Sequence, residues 1–240
     1  MNAIVDPQKS TTKAVTRVQN LKKAVQAEEY AVCIERAMLW TQFSKNKNNK
    51  AKSRPVFIAE ATRHVLRNKT VKIYPDELIV GNFTAHRVGG IIYPEMGGLA
   101  PMIEIFKIPT RRVNPLNIKF LDRIKLALTI PYWLTRNTVV LAFDNNEDRA
   151  RFAKEQGEAL QYQLYEAGGI AHLAPGYEKI IRLGAEGIIA EVEAFEAQTT
   201  DPEKLEFYRG VKISMEALGE FGDRYAAEAT RVASDERDPV

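Results

Sequence analysis

The chain has 240 residues, 45% hydrophobic and 27% charged, a composition that suits a soluble globular protein of one sizeable domain or two small ones. Its net charge is +3, but residues 1–143 carry 23 basic against 10 acidic side chains and residues 144–240 carry 11 against 21, so the halves stand at +13 and −10. One cysteine, Cys33, rules out an intrachain disulfide framework or a multi-thiolate metal site. The opening MNAIVDPQKS is no secretory signal, and the apolar-looking segment 126–143 is broken by Pro131, Arg136 and Asn137, so it is no membrane span; the expected compartment is the cytoplasm.

Residues 1–13 read as a flexible tail, and residues 14–240 show no hinge that demands two domains. A helix is expected from about Ala14, with Val18, Leu21 and Val25 on one stripe. The pattern continues through Tyr30, Ile34, Ala37 and Met38, and less regularly to Trp40 and Phe43, which puts Cys33 in an amphipathic helix as a buried small hydrophobe. The run 44–54 holds five positive charges and no negative one. Without interleaved aromatics it reads as a solvated loop rather than a polyanion site. Pro55 opens the next helix, with Phe57, Ile58, Ala61, Val65 and Leu66 as its buried face and His64 as a structural histidine beside it.

The stretch 73–98, IYPDELIVGNFTAHRVGGIIYPEMGG, is the segment against which the helices are expected to pack. Leu78-Ile79-Val80 and Ile91-Ile92-Tyr93 are two short β-prone runs set off by glycines and prolines. Asp76 after Pro75 suits a turn. Pro101, Pro109 and Pro115 exclude a long helix over 99–117; residues 102–108 read as a short helix or a strand. Helical spacing returns at Leu116, Phe120, Ile124 and Leu128, and residues 138–143 suit a strand or a buried helical segment. Residues 144–148 favour a helix start, with Phe152, Leu160 and Leu164 continuing it; His172 follows as a loop histidine. Pro175 opens a helix with Tyr177, Ile180, Ile181, Ile188 and Phe195 inward and Gly184 and Gly187 as interruptions. Thr199 to Pro202 marks the start of the last, running through Leu205, Tyr208, Val211, Met215, Leu218, Tyr225 and Ala229. The fold expected is mainly α-helical with a few short strands.

No complete active site is visible. Histidines stand only at 64, 86 and 172 and no HExxH is present, so no metal site is expected. The doubled glycines at 89–90 and 97–98 fit no phosphate-binding spacing. Cys33 has Arg36 three residues on but no histidine base in sequence. The candidates for holding a ligand are His86 and Arg87, between the two β-prone runs, and Glu95. Arg87 offers a fork for a carboxylate; Glu95 offers a ligand contact or an acceptor for the glycine turn that follows it.

Taken together, CIERAMLWT (33–41), YPDELIVGN (74–82), YPE (93–95), AHLAPGYEKIIRLGAEGI (171–188) and DRYAAEA (223–229) resemble the N-terminal part of the glycyl radical enzymes, the pyruvate formate-lyase-like family. The resemblance implies that residues 14–240 are a partial domain, the N-terminal portion of a ten-stranded α/β barrel with helices outside, in a much longer chain. It also implies a radical stored on a C-terminal glycine and relayed to a mid-chain cysteine, and a separate S-adenosylmethionine-dependent activase. Neither the radical cysteine motif nor the glycyl loop is present in this sequence. The expectation is therefore a portion or split subunit of a glycyl radical lyase, decarboxylase or dehydratase of anaerobic metabolism, acting on a small organic substrate and inactive alone. No catalytic, cofactor-binding or metal residue is carried over, and the glycyl radical belongs to the missing C-terminal part. His86, Arg87 and Glu95 are the candidates for lining the pocket. The implied partners are the rest of the enzyme, a homodimer mate and the activase, with no nucleic acid and no membrane. The alternative is a non-catalytic helical domain whose basic half binds an acidic protein.

Overall fold

The computed structural model describes residues 7–49, 52–97, 105–112, 114–137, 141, 143–158 and 176–235. Helix α1 spans Pro7–Ala27, so helix replaces much of the expected tail. Proline at the first helical position lacks only an N–H that has no acceptor there. The expected continuation from Val18 to Phe43 is interrupted. Strand β1 (Ala31–Cys33) precedes helix α2 (Glu35–Lys45), and Cys33 lies in the strand, not in a helix. A periodic pattern carries no information about a distant pairing partner, and here that partner is β2 (Gly89–Ile91).

β1 and β2 are parallel, with Ala31 opposite Gly89 and Cys33 opposite Ile91. On the other side of β1, Val32 N–H donates to Asn117 O at 2.8 Å and Asn117 N–H to Tyr30 O at 2.7 Å. The paired glycines allow this close approach. A Cβ at Gly89 would sit 2.9 Å from Ala31 O, and one at Gly90 would sit 2.7 Å from Leu116 Cδ1. The second β-prone run is thus a strand, shifted toward its glycines. The first is not: Leu78, Ile79 and Val80 are 70%, 92% and 42% exposed, in a bend and the irregular chain after it.

Helix α3 (Arg54–Asn68) carries Pro55 in its first turn as expected, but its buried residues are Val56, Ala59, Ala61 and Val65, and Ile58 is exposed. Short helices follow at α4 (Pro94–Gly97), α5 (Phe120–Ala127) and α6 (Ile130–Trp133). Helix α7 (Asn146–Gly157) is capped by Asn145, whose Oδ1 accepts from Asp148 N–H at 2.8 Å. Helix α8 (Tyr177–Glu196) kinks at Gly184, where φ is 64° and ψ −176°. Its expected inward face is largely outward, with Tyr177 65%, Ile181 81% and Phe195 55% exposed; Val192 is its buried residue. Helix α9 (Pro202–Asp235) starts at the expected boundary. Residues 102–104, 138–140, Leu160, Leu164 and His172 lie outside the described residues.

Three apolar clusters hold these elements. Val32, Ala37, Ile92, Ile105, Ile108 and Leu126 pack around the strands. Trp40, Ala61, Val65 and Trp133 join α2, α3 and α6. Val56 and Ala59 of α3 meet Ile213 of α9. Along that last contact a Cβ at Gly210 would meet the Pro55 backbone at 3.1 Å, so the glycine sets how closely the two helices cross. The acidic and basic halves meet there too. Arg63 pairs with Glu216 and Glu220, and Arg67 with Glu220 through Nε and Nη2, each at 2.6 Å. Part of the charge asymmetry is therefore satisfied inside the chain. No described helix is long and apolar enough to cross a membrane.

Candidate functional site

The loop between α3 and β2 is tied down at both ends. Asp76, in the left-handed region at φ 67°, makes the expected turn, and Arg17 of α1 clasps it by donating to Asp76 O at 2.9 Å and Glu77 O at 2.7 Å. Tyr74 donates its hydroxyl to Ala85 O at 3.1 Å, and burial pushes its pKa up. Further along, Asn82 N–H donates to the Tyr225 hydroxyl at 2.8 Å. Arg224 donates to Leu66 O and Lys69 O, so α9 grips both the end of α3 and the loop beyond it.

This scaffold sends the three candidate residues in different directions. His86 lines an open cleft of about 520 Å³ together with Cys33, Glu35, Asn68, Lys119 and Asp122. Its backbone is locked by Thr84, whose Oγ1 accepts from His86 N–H at 3.1 Å and donates to His86 O. Arg87 lays its guanidinium 4.6 Å over the Tyr74 ring, with Nη1 buried and without a hydrogen-bond partner among the described residues. Glu95 accepts both arms of Arg36, Nη1 to Oε2 at 3.1 Å and Nη2 to Oε1. Neither Arg87 nor Glu95 lines the cleft that His86 lines.

Arg36 is the residue that sequence reading missed. Its guanidinium lies 3.9 Å from the Tyr93 ring centroid and 4.6 Å from that of Trp40, and forks onto Glu95. It thereby ties α2 to α4 across 59 residues. In sequence it stands three residues after Cys33 with no partner in view, and the fold turns it to the Glu95 carboxylate. Cys33 is buried, and its sulfur accepts Ala85 N–H at 3.4 Å. His64 is the structural histidine expected, with its ring 5.7 Å from that of Phe43 and Nδ1 3.4 Å from Asn68 Nδ2. Among the described residues no three His, Cys, Asp or Glu side chains come together to hold a metal.

A second cleft, of about 340 Å³, opens on the other side of α2, between α3, the 81–83 loop and α9. Trp40, Tyr93, Phe83 and Phe221 wall it, and Lys69 and Glu35 supply polar groups.

The model of the pyruvate formate lyase-like family matches residues 9–240. The isethionate sulfite-lyase of Desulfovibrio desulfuricans is 27% identical over 93% of this chain and 28% of its own length. The B12-independent glycerol dehydratase of Clostridium butyricum, solved with glycerol bound, superposes with a TM-score of 0.77 at 26% identity, over 93% of this chain and 29% of that one. A glycyl radical enzyme of Archaeoglobus fulgidus gives a TM-score of 0.77 at 29% identity, over 92% and 29%. The chain thus spans less than a third of the length of these relatives. The mainly helical fold with few short strands is that of the N-terminal region of glycyl radical enzyme barrels.

Proposed function

The chain belongs to the pyruvate formate lyase-like family, and on that premise we propose that it is the N-terminal portion, or one subunit, of a glycyl radical lyase, decarboxylase or dehydratase without turnover of its own. The observation that carries the proposal is the pairing of near-complete coverage of this chain with coverage of less than a third of each relative. The relatives' names point to small organic substrates: isethionate in one case, glycerol in another.

The chain's own chemistry agrees. Hydrogen abstraction needs a sulfur in contact with substrate and sheltered from water. Cys33, the one thiol, lies in a paired strand and accepts a backbone hydrogen bond. His86, which lines an open cleft, is carried as a pocket residue of the complete enzyme. Arg87 and Glu95 are carried with it, held by Tyr74 and Arg36 respectively. The partners proposed are the remaining polypeptide, a second copy of the enzyme and a radical-generating activase, in the cytoplasm.

The test is anaerobic activation of the purified chain, alone and with the polypeptide encoded immediately after or beside it, in the presence of the activase. Electron paramagnetic resonance reads the glycyl radical, and product formation reads turnover. Both are expected only with the second polypeptide present. Turnover by the isolated chain refutes the proposal.

A further inference from the structure

We infer that the aromatic-walled cleft over Lys69 binds a small organic anion, with the ammonium taking an acidic head group and Trp40, Tyr93 and Phe83 holding an apolar body. Lys69 is only 6% exposed, yet no carboxylate pairs with it among the described residues. Its Nζ donates to one acceptor, Asn82 O, and lies 5.1 Å from the centroid of the Phe221 ring. An ammonium has three donors, and hydrogen bonding among the described residues uses one of them. The nearby carboxylate, Glu35, is engaged by Thr70, taking its backbone N–H at 3.0 Å and its hydroxyl. Arg36, the other cation of the cleft, is forked onto Glu95. Lys69 is thus a buried cation with no carboxylate in ion-pair contact among the described residues, and the more distant charge of Glu35 offsets its desolvation only in part. Burial accordingly pushes its pKa below the ordinary lysine value.

The Lys69 ammonium is not the loop's sole tether. Asn82 N–H is fixed by Tyr225, and the carbonyls of Leu66 and Lys69 by Arg224. A volume of about 340 Å³, with four aromatic rings in its wall and Lys69 as the cation not forked onto a carboxylate, suits a molecule the size of benzoate. Phe83, 79% exposed, stands at the rim where such a ring enters.

The experiment is calorimetric titration of the full chain with benzoate and with its neutral counterpart benzamide. Benzoate is expected to bind saturably with Kd below about 1 mM, and benzamide about tenfold more weakly or worse. Lys69→Met removes the preference and Lys69→Arg keeps it. If Lys69→Met does not fold, Phe83→Ala serves: it leaves the lysine in place and is expected to weaken benzoate by at least about threefold. Equal binding of benzoate and benzamide overturns the inference. So does unchanged benzoate affinity in Lys69→Met or, where that variant fails, in Phe83→Ala, and so does no saturable binding up to roughly 10 mM. The titration needs no activase and no second polypeptide, so it stands apart from the radical assay.

Discussion

Replacing Glu220 by Gln tests whether the contact between α3 and α9 is electrostatic as well as apolar. Its carboxylate accepts from Arg63 Nη2 at 2.5 Å and from Arg67 Nε and Nη2 at 2.6 Å each. The Arg67 hydrogen bonds, then those of Arg63, pull its pKa from an ordinary 4.5 down to about 2. The full linkage value of such a shift is about 3.4 kcal/mol. The side chain is 31% exposed, so solvent screening reduces this to about 1–1.5 kcal/mol. A depressed carboxylate pKa stabilises the fold above the unfolded value and stops doing so as pH falls through the folded one. The E220Q penalty is therefore expected in full at pH 7, about half of it by roughly pH 3, and almost none near pH 2. Urea denaturation at pH 7, 5 and 3.5 reads the difference between wild type and variant, and at pH 7 the melting temperature should fall by about 2–4 °C. A penalty that stays constant over that range, or no penalty at pH 7, refutes the reasoning.

Arg36→Met should cost about 2–4 kcal/mol, because Glu95 then loses a forked partner in a site where both side chains are mostly buried; Arg36→Lys should recover less than half, since an ammonium makes neither the fork nor the aromatic sandwich. Urea titration reads both. Gly89→Ala should destabilise by about 2 kcal/mol and Gly90→Ala by about 1 kcal/mol or less, because the first Cβ meets the rigid Ala31 carbonyl and the second meets only the end of the Leu116 side chain, which can swing; thermal melts that rank them the other way refute this account of the strand pair. Ile79→Ser, at a position 92% exposed, should leave the melting temperature of the isolated chain within about 1 °C while reducing its self-association in light scattering.

The sequence is most legible where structure is local. Pro55 and the Thr199–Pro202 boundary mark helix starts because proline and a capping residue act within one turn, and α3 and α9 begin there. Strand β1 is illegible for the opposite reason. Ala31–Cys33 lies in a helical apolar period, and only pairing with Gly89–Ile91 and Asn117, far along the chain, makes it extended. Leu78–Val80 fails in the reverse sense: the residue types favour a strand, but no partner strand is described there and the side chains are exposed. Of the site, Asp76 is readable as a turn residue, whereas the Arg36–Glu95 fork joins residues 59 positions apart and leaves no mark in the local pattern. Lys69 is hidden for the same reason, since its burial comes from α9 and the 81–83 loop rather than from its own helix.

The apolar positions that the pattern reads as inward but the fold leaves outward share one physical cause in the proposed assembly. Phe120 and Leu128 of the α5 region are each 72% exposed and Ile181 of α8 is 81% exposed, yet all three fall on regular helical stripes. A stripe of that kind gains nothing from solvent; it is stabilising only where another surface covers it. Scattered single hydrophobes need no such explanation, but stripes on successive helices do. In a complete glycyl radical enzyme these stripes would be the seams along which the remaining polypeptide packs.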